Sequence, residues 1–440
     1  MMLAARTNCV WRLSLVLAAS LPAMAPAQDA GTGQAAVPPA KSADASATDA
    51  EAQRHSLFEY LHRPDLRPVR SLLVDQEMPV TGIRWGAQVQ LDLPLNGEPA
   101  GAEPTFREAR LVFYRGFGDE WSGKVTLNYD NAGKFEIGDS FLVYTGWKSV
   151  KATFGFFRPA YSLESTSKRT ALTFMERALP VAALSERRSG GLSLTKRTPN
   201  SILDAGLFLY SPDDEGQQEK GQAIVLHYVH APLDPNRQFR MRAGRDIWAG
   251  FSLSYRTNAE GPNTQFRSLP EVSVGDDYFV DTGTIDGASR ILRMGLEAND
   301  VSGPFSWQAE LLATKVMRSG AEDVLFTGGY VFASWFLTGE SRNYNSATGT
   351  FVNISPNRPL LHGGWGAWEL GLRASLVDLN DKDVVGGRQR DITLGLNWYL
   401  NDRFRVQANV IKVLDVDRPG SEFDGEDPWI AALRVQWNLQ

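Results

Sequence analysis

The 440-residue chain carries 45 Lys and Arg against 51 Asp and Glu, a net charge of −6 at pH 7, and so lacks the basic footprint that nucleic-acid binding requires. Its single cysteine, Cys9, excludes disulfides. Hydrophobic content is ordinary at 43%, with 40 Gly, 12 Trp and 12 Tyr, and past the N-terminal leader no run is long and apolar enough for a transmembrane helix.

Met1 to Ala27 reads as a secretory signal peptide. Arg6 and Arg12 supply its positive start, LSLVLAASLPAMA its short apolar core, and Ala25 and Ala27 the small residues of a cleavage site before Gln28. The apolar core falls short of the ~20 residues that span a bilayer. Cys9 lies in this leader without a lipidation motif, so the mature chain has no thiol chemistry. Removal of the two leader arginines leaves 43 basic against 51 acidic side chains, a charge of −8. Residues 28–78 read as a low-complexity periplasmic linker. Gln28 to Ala52 is Ala, Pro, Ser, Thr and Asp without periodicity, and Arg54 to Met78 has room for one short helix broken by Pro64 and Pro68.

From residue 79 to 440, period-2 runs dominate. Ile83, Trp85, Ala87, Val89, Leu91 and Leu93 alternate with polar residues. Trp121, Val125, Leu127 and Tyr129 do the same, as do Ile392, Leu394, Leu396 and Trp398. In the last run Trp429, Ala431, Leu433, Val435 and Trp437 oppose Arg434, Gln436 and Asn438. A soluble sandwich shows such alternation too. Runs of about 10 or more residues with aromatic ends point instead to tilted membrane strands with interface girdles. The predicted fold class is all-β: a transmembrane antiparallel β-barrel of about 16 strands with long inward-folded loops. The chain ends WNLQ, so Trp437, on the lipid face, is the aromatic residue of the last strand.

One stretch breaks the rhythm. Between the alternating runs KSVKATFGFF and SGGLSLTKR, residues 155–194 hold a loop far longer than the 2–5 residues of a hairpin. Arg158, Lys168, Arg169, Arg177, Arg187 and Arg188 are spaced there among Leu163, Leu172, Phe174, Leu179 and Leu184. That composition suits a segment folded on an interior wall, and 158–186 is predicted as a constriction loop inside the barrel. A second long external loop is expected from Asn258 to Ala288. Leu337 to Gly364 is long but falls on the periplasmic side, where turns should be short; either the strand count slips by one or this segment also folds inward. His227 and His230 alternate to opposite faces of a strand, which argues against a metal pair.

GFFRPAYSLE followed by TFMERALP is similar to the diagnostic stretch of the phosphate-selective porin O and P family. WAGFSLSYR, FRSLPEV, VDTGTI, GPFSWQAELL, SWFLTGESRNY, GAWELGLRASLVDLND and GGRQRDITLGLNWYL extend the resemblance from about Gly82 to the C-terminus. It implies a cofactor-free, sixteen-stranded homotrimeric porin in the outer membrane, set in lipid and lipopolysaccharide, passing small anions such as phosphate or polyphosphate through a lumen lined by Arg and Lys. It also implies that a long periplasmic turn enters the pore. Arg158 matches the family's basic residue at the start of the third loop, and Lys168 and Arg169 its basic position further along. Arg107 and Arg110 match the basic cluster on the second strand, where Glu108 departs from an expected arginine. Strict alternation from Leu111 puts Glu108 and Arg110 in the lumen and Arg107 outside, unless a bulge reorients it. A carboxylate at the constriction would blunt phosphate selectivity, leaving a general, weakly selective porin as the alternative. No Ser/His or carboxylate grouping supports an outer-membrane enzyme, and a soluble adhesin is the remaining reading. For Arg187, Arg188 and Arg373 the plain expectation is a solvated rim or lumen charge paired with a carboxylate.

Overall fold

The computed structural model describes residues 83–96, 103–129, 133–198, 200–210, 221–230, 247–257, 264–275, 277–345 and 349–439. The leader expected at 1–27 and the linker expected at 28–78 lie outside the described residues.

A sheet with one apolar and one polar face can stand in a bilayer only if no edge is left unpaired. This sheet closes. Its first strands are β1 (Ile83–Pro94), β2 (Thr105–Phe117), β3 (Trp121–Tyr129), β4 (Phe135–Ile137 with Ser140–Tyr144) and β5 (Val150–Phe157). After the long loop come β6 (Ser189–Thr198), β7 (Ser201–Tyr210), β8 (Ala223–His230) and β9 (Trp248–Thr257). The longer strands follow: β10 (Ala288–Ser302), β11 (Phe305–Arg318), β12 (Val324–Phe336) and β13 (Ala367–Asp381). The chain finishes with β14 (Val384–Tyr399), β15 (Phe404–Asp417) and β16 (Trp429–Leu439). Each pairs antiparallel with the next, and β16 returns to β1 with Ala87 opposite Leu439 and Asp92 opposite Arg434. The structure is therefore a sixteen-stranded antiparallel barrel, as the alternation predicted.

The outer wall is apolar: Leu111, Phe113, Leu296, Leu311, Leu372 and Leu394 are all exposed there. Trp121, Trp147, Trp335, Trp365 and Trp429 are exposed near strand ends. In β16, Val435 faces out and Trp437 shares its face, while Arg434, Gln436 and Asn438 are buried inside.

Three connections fill much of the lumen. The loop from Arg158 to Arg188 is the first. It folds into a short helix α1 (Leu163–Thr166), a 3-10 turn (Arg169–Ala171) and a second helix α2 (Leu179–Leu184) opened by Pro180. Leu179, Val181, Ala183 and Leu184 pack with Phe174 against Phe326, Phe332 and Val377 of the wall. Gly371 and Gly395 make room for this contact, since a Cβ at either would meet the Phe174 ring at 3.1 Å. The second connection, expected as a long external loop from Asn258 to Ala288, turns inward over its described part. A hairpin of Arg267–Ser268 with Val280–Asp281 carries Glu271, Val272 and Val274 into the interior. The third is the long segment after β12. The strand count does not slip; the segment folds inward. Its hairpin (Asn343–Asn345 with Thr350–Val352) buries Tyr344 and Phe351, and Tyr344 stacks on Trp248 at 4.3 Å.

Candidate functional site

Exposure divides the long loop into two faces. Thr166, Lys168, Arg169, Glu176, Arg177, Arg187 and Arg188 are half-buried, whereas most of the remainder is buried. The buried face is tied to the wall from β9 to β16. Glu310 on β11 accepts the backbone N–H groups of Leu163 at 3.0 Å and Glu164 at 2.8 Å. Glu186 joins Arg256 at 2.7 Å and Arg293 at 2.9 Å. Arg405 donates to the carbonyls of Thr170, Leu172 and Thr173, and Asn397 also donates to that of Thr173.

Arg373 is a lumen charge paired with carboxylates, as expected, but it is fully buried and not solvated. It pairs with Glu271 at 2.7 Å and Glu164 at 3.4 Å, and donates to the Glu176 carbonyl at 3.1 Å. Glu271 adopts a left-handed backbone (φ 55°), a conformation that persists only where the surroundings over-determine it. Its carboxylate also accepts from Ser375 at 2.6 Å and the Leu179 N–H at 3.3 Å.

The half-buried face looks toward β1–β5 and separates two cavities. The near one, of about 100 Å³, lies toward the rim where the barrel begins and ends. It is lined by Gly86, Arg110, Tyr114, Lys124, Lys168, Arg188 and Asn438. The far one, of about 160 Å³, is lined by Arg107, Glu176, Arg187, Arg267 and Tyr278. Arg158, Arg169 and Arg177 line both. These three guanidinium groups sit at the neck.

The backbone holds two of them. Arg177 donates to the carbonyls of Glu164, Ser165 and Ser167, each at 3.1 Å. Arg158 donates to Ser165 Oγ at 3.3 Å and the Glu186 carbonyl at 3.0 Å. Arg169 approaches two carboxylates, Glu176 at 3.2 Å and Glu108 at 4.0 Å. Lys168 lines the near cavity beside it.

On β2, Glu108 and Arg110 both face the lumen, as alternation required, and form an ion pair; Arg110 also donates to Asn128 at 3.0 Å. Strict alternation misplaces Arg107. The ladder to β1 pairs Gln90 with Glu108 but Leu91 with Phe106, so Arg107 is the extra residue of a bulge. The bulge turns it inward to Glu176 at 2.9 Å. Arg188 pairs with Asp139 at 2.7 Å, with Lys124 on the other side of that carboxylate at 3.6 Å.

Residue patterns did not single out Glu176, Asp92 or Arg434. Burial opposes ionisation of Glu176, but Arg107, Arg169 and Arg434 outweigh it and hold the carboxyl well below the usual range. Glu186 shows the same balance: burial is countered by Arg293 and Arg256, and its carboxyl is held down to about 2. Glu164 goes the other way, pushed up by burial despite Arg373. Asp92 and Arg434 form a two-pronged pair at 2.6 and 2.7 Å, and Arg434 reaches Glu176 at 2.6 Å. The one signal for them was a charge on the polar face of both the first and the last strand, which barrel closure must bring together. His227 is buried and pairs with Glu297 at 3.2 Å while His230 faces out, so the two histidines share no site.

A closed barrel with an apolar exterior, a charged lumen and a loop folded across it defines an outer-membrane porin. The chain belongs to the phosphate-selective porin O and P family, whose model matches residues 81–439. It is 26% identical to Porin O of Pseudomonas aeruginosa, over 72% of this chain and 78% of that one. It is 31% identical to an uncharacterized protein of Caulobacter vibrioides, over 64% of this chain and 56% of the relative, so it spans little more than half of that relative's length. Among solved structures, OmpF of Salmonella typhi in complex with daunomycin aligns with a TM-score of 0.50 at 10% identity, covering 82% of this chain and 98% of that one; this likeness concerns the fold alone.

Proposed function

We propose that this porin is a passive channel that prefers small anions, phosphate or polyphosphate among them, and that Arg158, Lys168, Arg169, Arg107 and Arg110 make up its selective passage. The observation that carries the reading is the neck, where Arg158, Arg169 and Arg177 border both cavities. A hydrated anion entering so narrow a passage loses solvent, and guanidinium donors replace it while repelling cations. Two unit charges about 4 Å apart interact by roughly 4 kcal/mol at an effective dielectric of 20, enough for a few side chains to set ion preference. Two cavities in series also provide weak, repeated binding, which conduction needs more than one deep site. The family resemblance and the likeness to Porin O support the same reading. For assembly we propose a homotrimer set in lipid and lipopolysaccharide. An apolar depression on the outside of β2–β5, lined by Phe113, Phe117, Leu142 and Phe154, offers a contact surface for another copy.

A second reading, a general and weakly selective porin, is favoured by Glu108 and Glu176, carboxylates at the edge of the neck. Reversal potentials across planar bilayers in graded KCl separate the two. The parent should be anion-preferring, and the double variant Lys168→Ala/Arg169→Ala should move toward cation preference at both low and high salt. No change in the double variant would remove the loop from the selective passage.

A further inference from the structure

The loop from Arg158 to Arg188 holds three carboxylates, and they divide by surroundings. Glu164 and Glu186 are fully buried against the wall, whereas Glu176 retains side-chain exposure of 14% and lines the far cavity. Its contacts are crowded. Arg107 forks onto both oxygens at 2.9 and 3.4 Å, and Arg169 Nη1 reaches both at 3.4 and 3.2 Å. Arg434 Nη2 adds a bond at 2.6 Å, and the single hydroxyl proton of Ser273 is shared between Glu176 at 3.1 Å and Asp92 at 3.0 Å. Four arginine nitrogens, with a share of the Ser273 hydroxyl, therefore converge on a group with about four lone-pair sites, and three of the four reach the single oxygen Oε1. Fork-shaped arginine donors in this number match the oxygens of a phosphate better than the two of a carboxylate.

The local charge agrees. Four arginines (Arg107, Arg110, Arg169, Arg434) face three carboxylates (Asp92, Glu108, Glu176), so one positive charge remains in surplus. Neutralising Glu176 would leave a surplus of two beside a cavity that an anion can enter.

We propose that Glu176 is a tethered competitor, a built-in anion that occupies an arginine clamp suited to phosphate and so keeps permeating phosphate from being held there. The proposal rests on the anion-channel reading and goes beyond it by assigning the depth of phosphate binding to one loop residue. A negative residue at the edge of a basic passage then serves throughput: the anion exchanges with an internal group of like charge and does not fill an empty clamp.

The test uses the full protein in planar bilayers, with inorganic phosphate titrated into KCl, comparing the parent with Glu176→Gln, Glu176→Asp and Glu186→Gln. Glu176→Gln should lower the phosphate concentration for half-block by about tenfold or more, the weight of one charge-assisted hydrogen bond. Glu176→Asp keeps the charge and should stay close to the parent. Glu186→Gln removes an arginine-paired carboxylate outside both cavities and should not strengthen block. Phosphate, but not chloride at equal ionic strength, should also raise the heat resistance of Glu176→Gln on gels more than that of the parent; this readout survives even if the substitution loosens the loop. An anion-preferring parent with unchanged half-block and no phosphate-dependent protection in Glu176→Gln would overturn the proposal. Equal strengthening of block by Glu186→Gln would overturn it as well, since loop loosening would then explain both. A parent without anion preference would instead overturn the reading beneath it.

Discussion

The two halves of the lumen use the same residue types for different ends. Toward β9–β16, arginines and carboxylates are dehydrated and consumed in fastening the long loop: Arg256 and Arg293 on Glu186, Arg373 on Glu271 and Glu164. Toward β1–β5, Arg158, Lys168, Arg169, Arg177 and Arg188 stay half-buried around open cavities. Partner type alone does not separate the halves, since Arg169 and Arg188 also meet carboxylates and Arg405 is held by backbone carbonyls. The difference lies in exposure: the dry-half pairs are closed off, whereas the open-half cations border cavities, and the backbone carbonyls that position Arg177 leave its charge intact. A loop must be anchored on one side for its other side to present charge at a fixed distance, so the packed half is the condition for the open one.

The sharpest way to break this contrast is Arg373→Ala. It strands Glu271 and Glu164 in the dry half, and removing one partner of a buried pair costs about 3–5 kcal/mol. The heat-modification midpoint on gels should drop, and channels should become larger and noisier as the loop leaves the wall. An unchanged midpoint with unchanged conductance would show that the packed half does not hold the loop.

Acid should loosen the same contacts more gently. The carboxyls of Glu176 and Glu186 are depressed in the folded protein by their arginines. Their stabilising contribution is therefore complete above about pH 4.5; that of Glu186 is lost as pH falls toward about 2, and that of Glu176 only well below the usual carboxylate range. Glu164, pushed up by burial, partly offsets this because it takes up a proton readily in the folded state. Conductance recorded at pH 7, 4.5 and 2.5 should stay constant across the first step and rise only at the last. A rise already complete at pH 4.5 would contradict the assignment.

The smallest effect belongs to the open half. Arg187 lines the far cavity away from the neck, so Arg187→Ala should leave stability within about 0.5 kcal/mol of the parent. It should shift the reversal potential slightly toward cations at low salt. In about 1 M salt, where the Debye length is near 3 Å, that shift should vanish. A shift persisting at high salt would move the neck outward to include Arg187.

Some of the site was legible in the chain and some was not, and Arg107 shows where the line falls. Counting alternation back from Leu111 puts it in lipid, and only the slip between Gln90 and Leu91 on the neighbouring strand turns it to Glu176. That slip is a property of a pair of strands, not of either sequence. Glu108 was legible as a lumen charge, but its pairing with Arg110 and approach to Arg169 depend on where the loop lands. Glu176 carried no pattern at all. Three arginines meet it from β2, from its own loop and from the last strand.

By itself the sequence determined the barrel. Period-2 alternation over strands long enough to cross a membrane sorts side chains between lipid and water, and that sorting is local because successive residues on a strand must point to opposite faces. An interruption rich in basic and apolar residues likewise announced a loop with two faces. Only the tertiary structure decided which charges are spent and which remain. Asp92 and Arg434 are 342 positions apart and become neighbours when β16 closes on β1; Glu271 reaches Arg373 because a second loop turns inward. Coulomb energies and dehydration depend on distances of a few ångströms, and those distances are set by closure, bulge and loop packing.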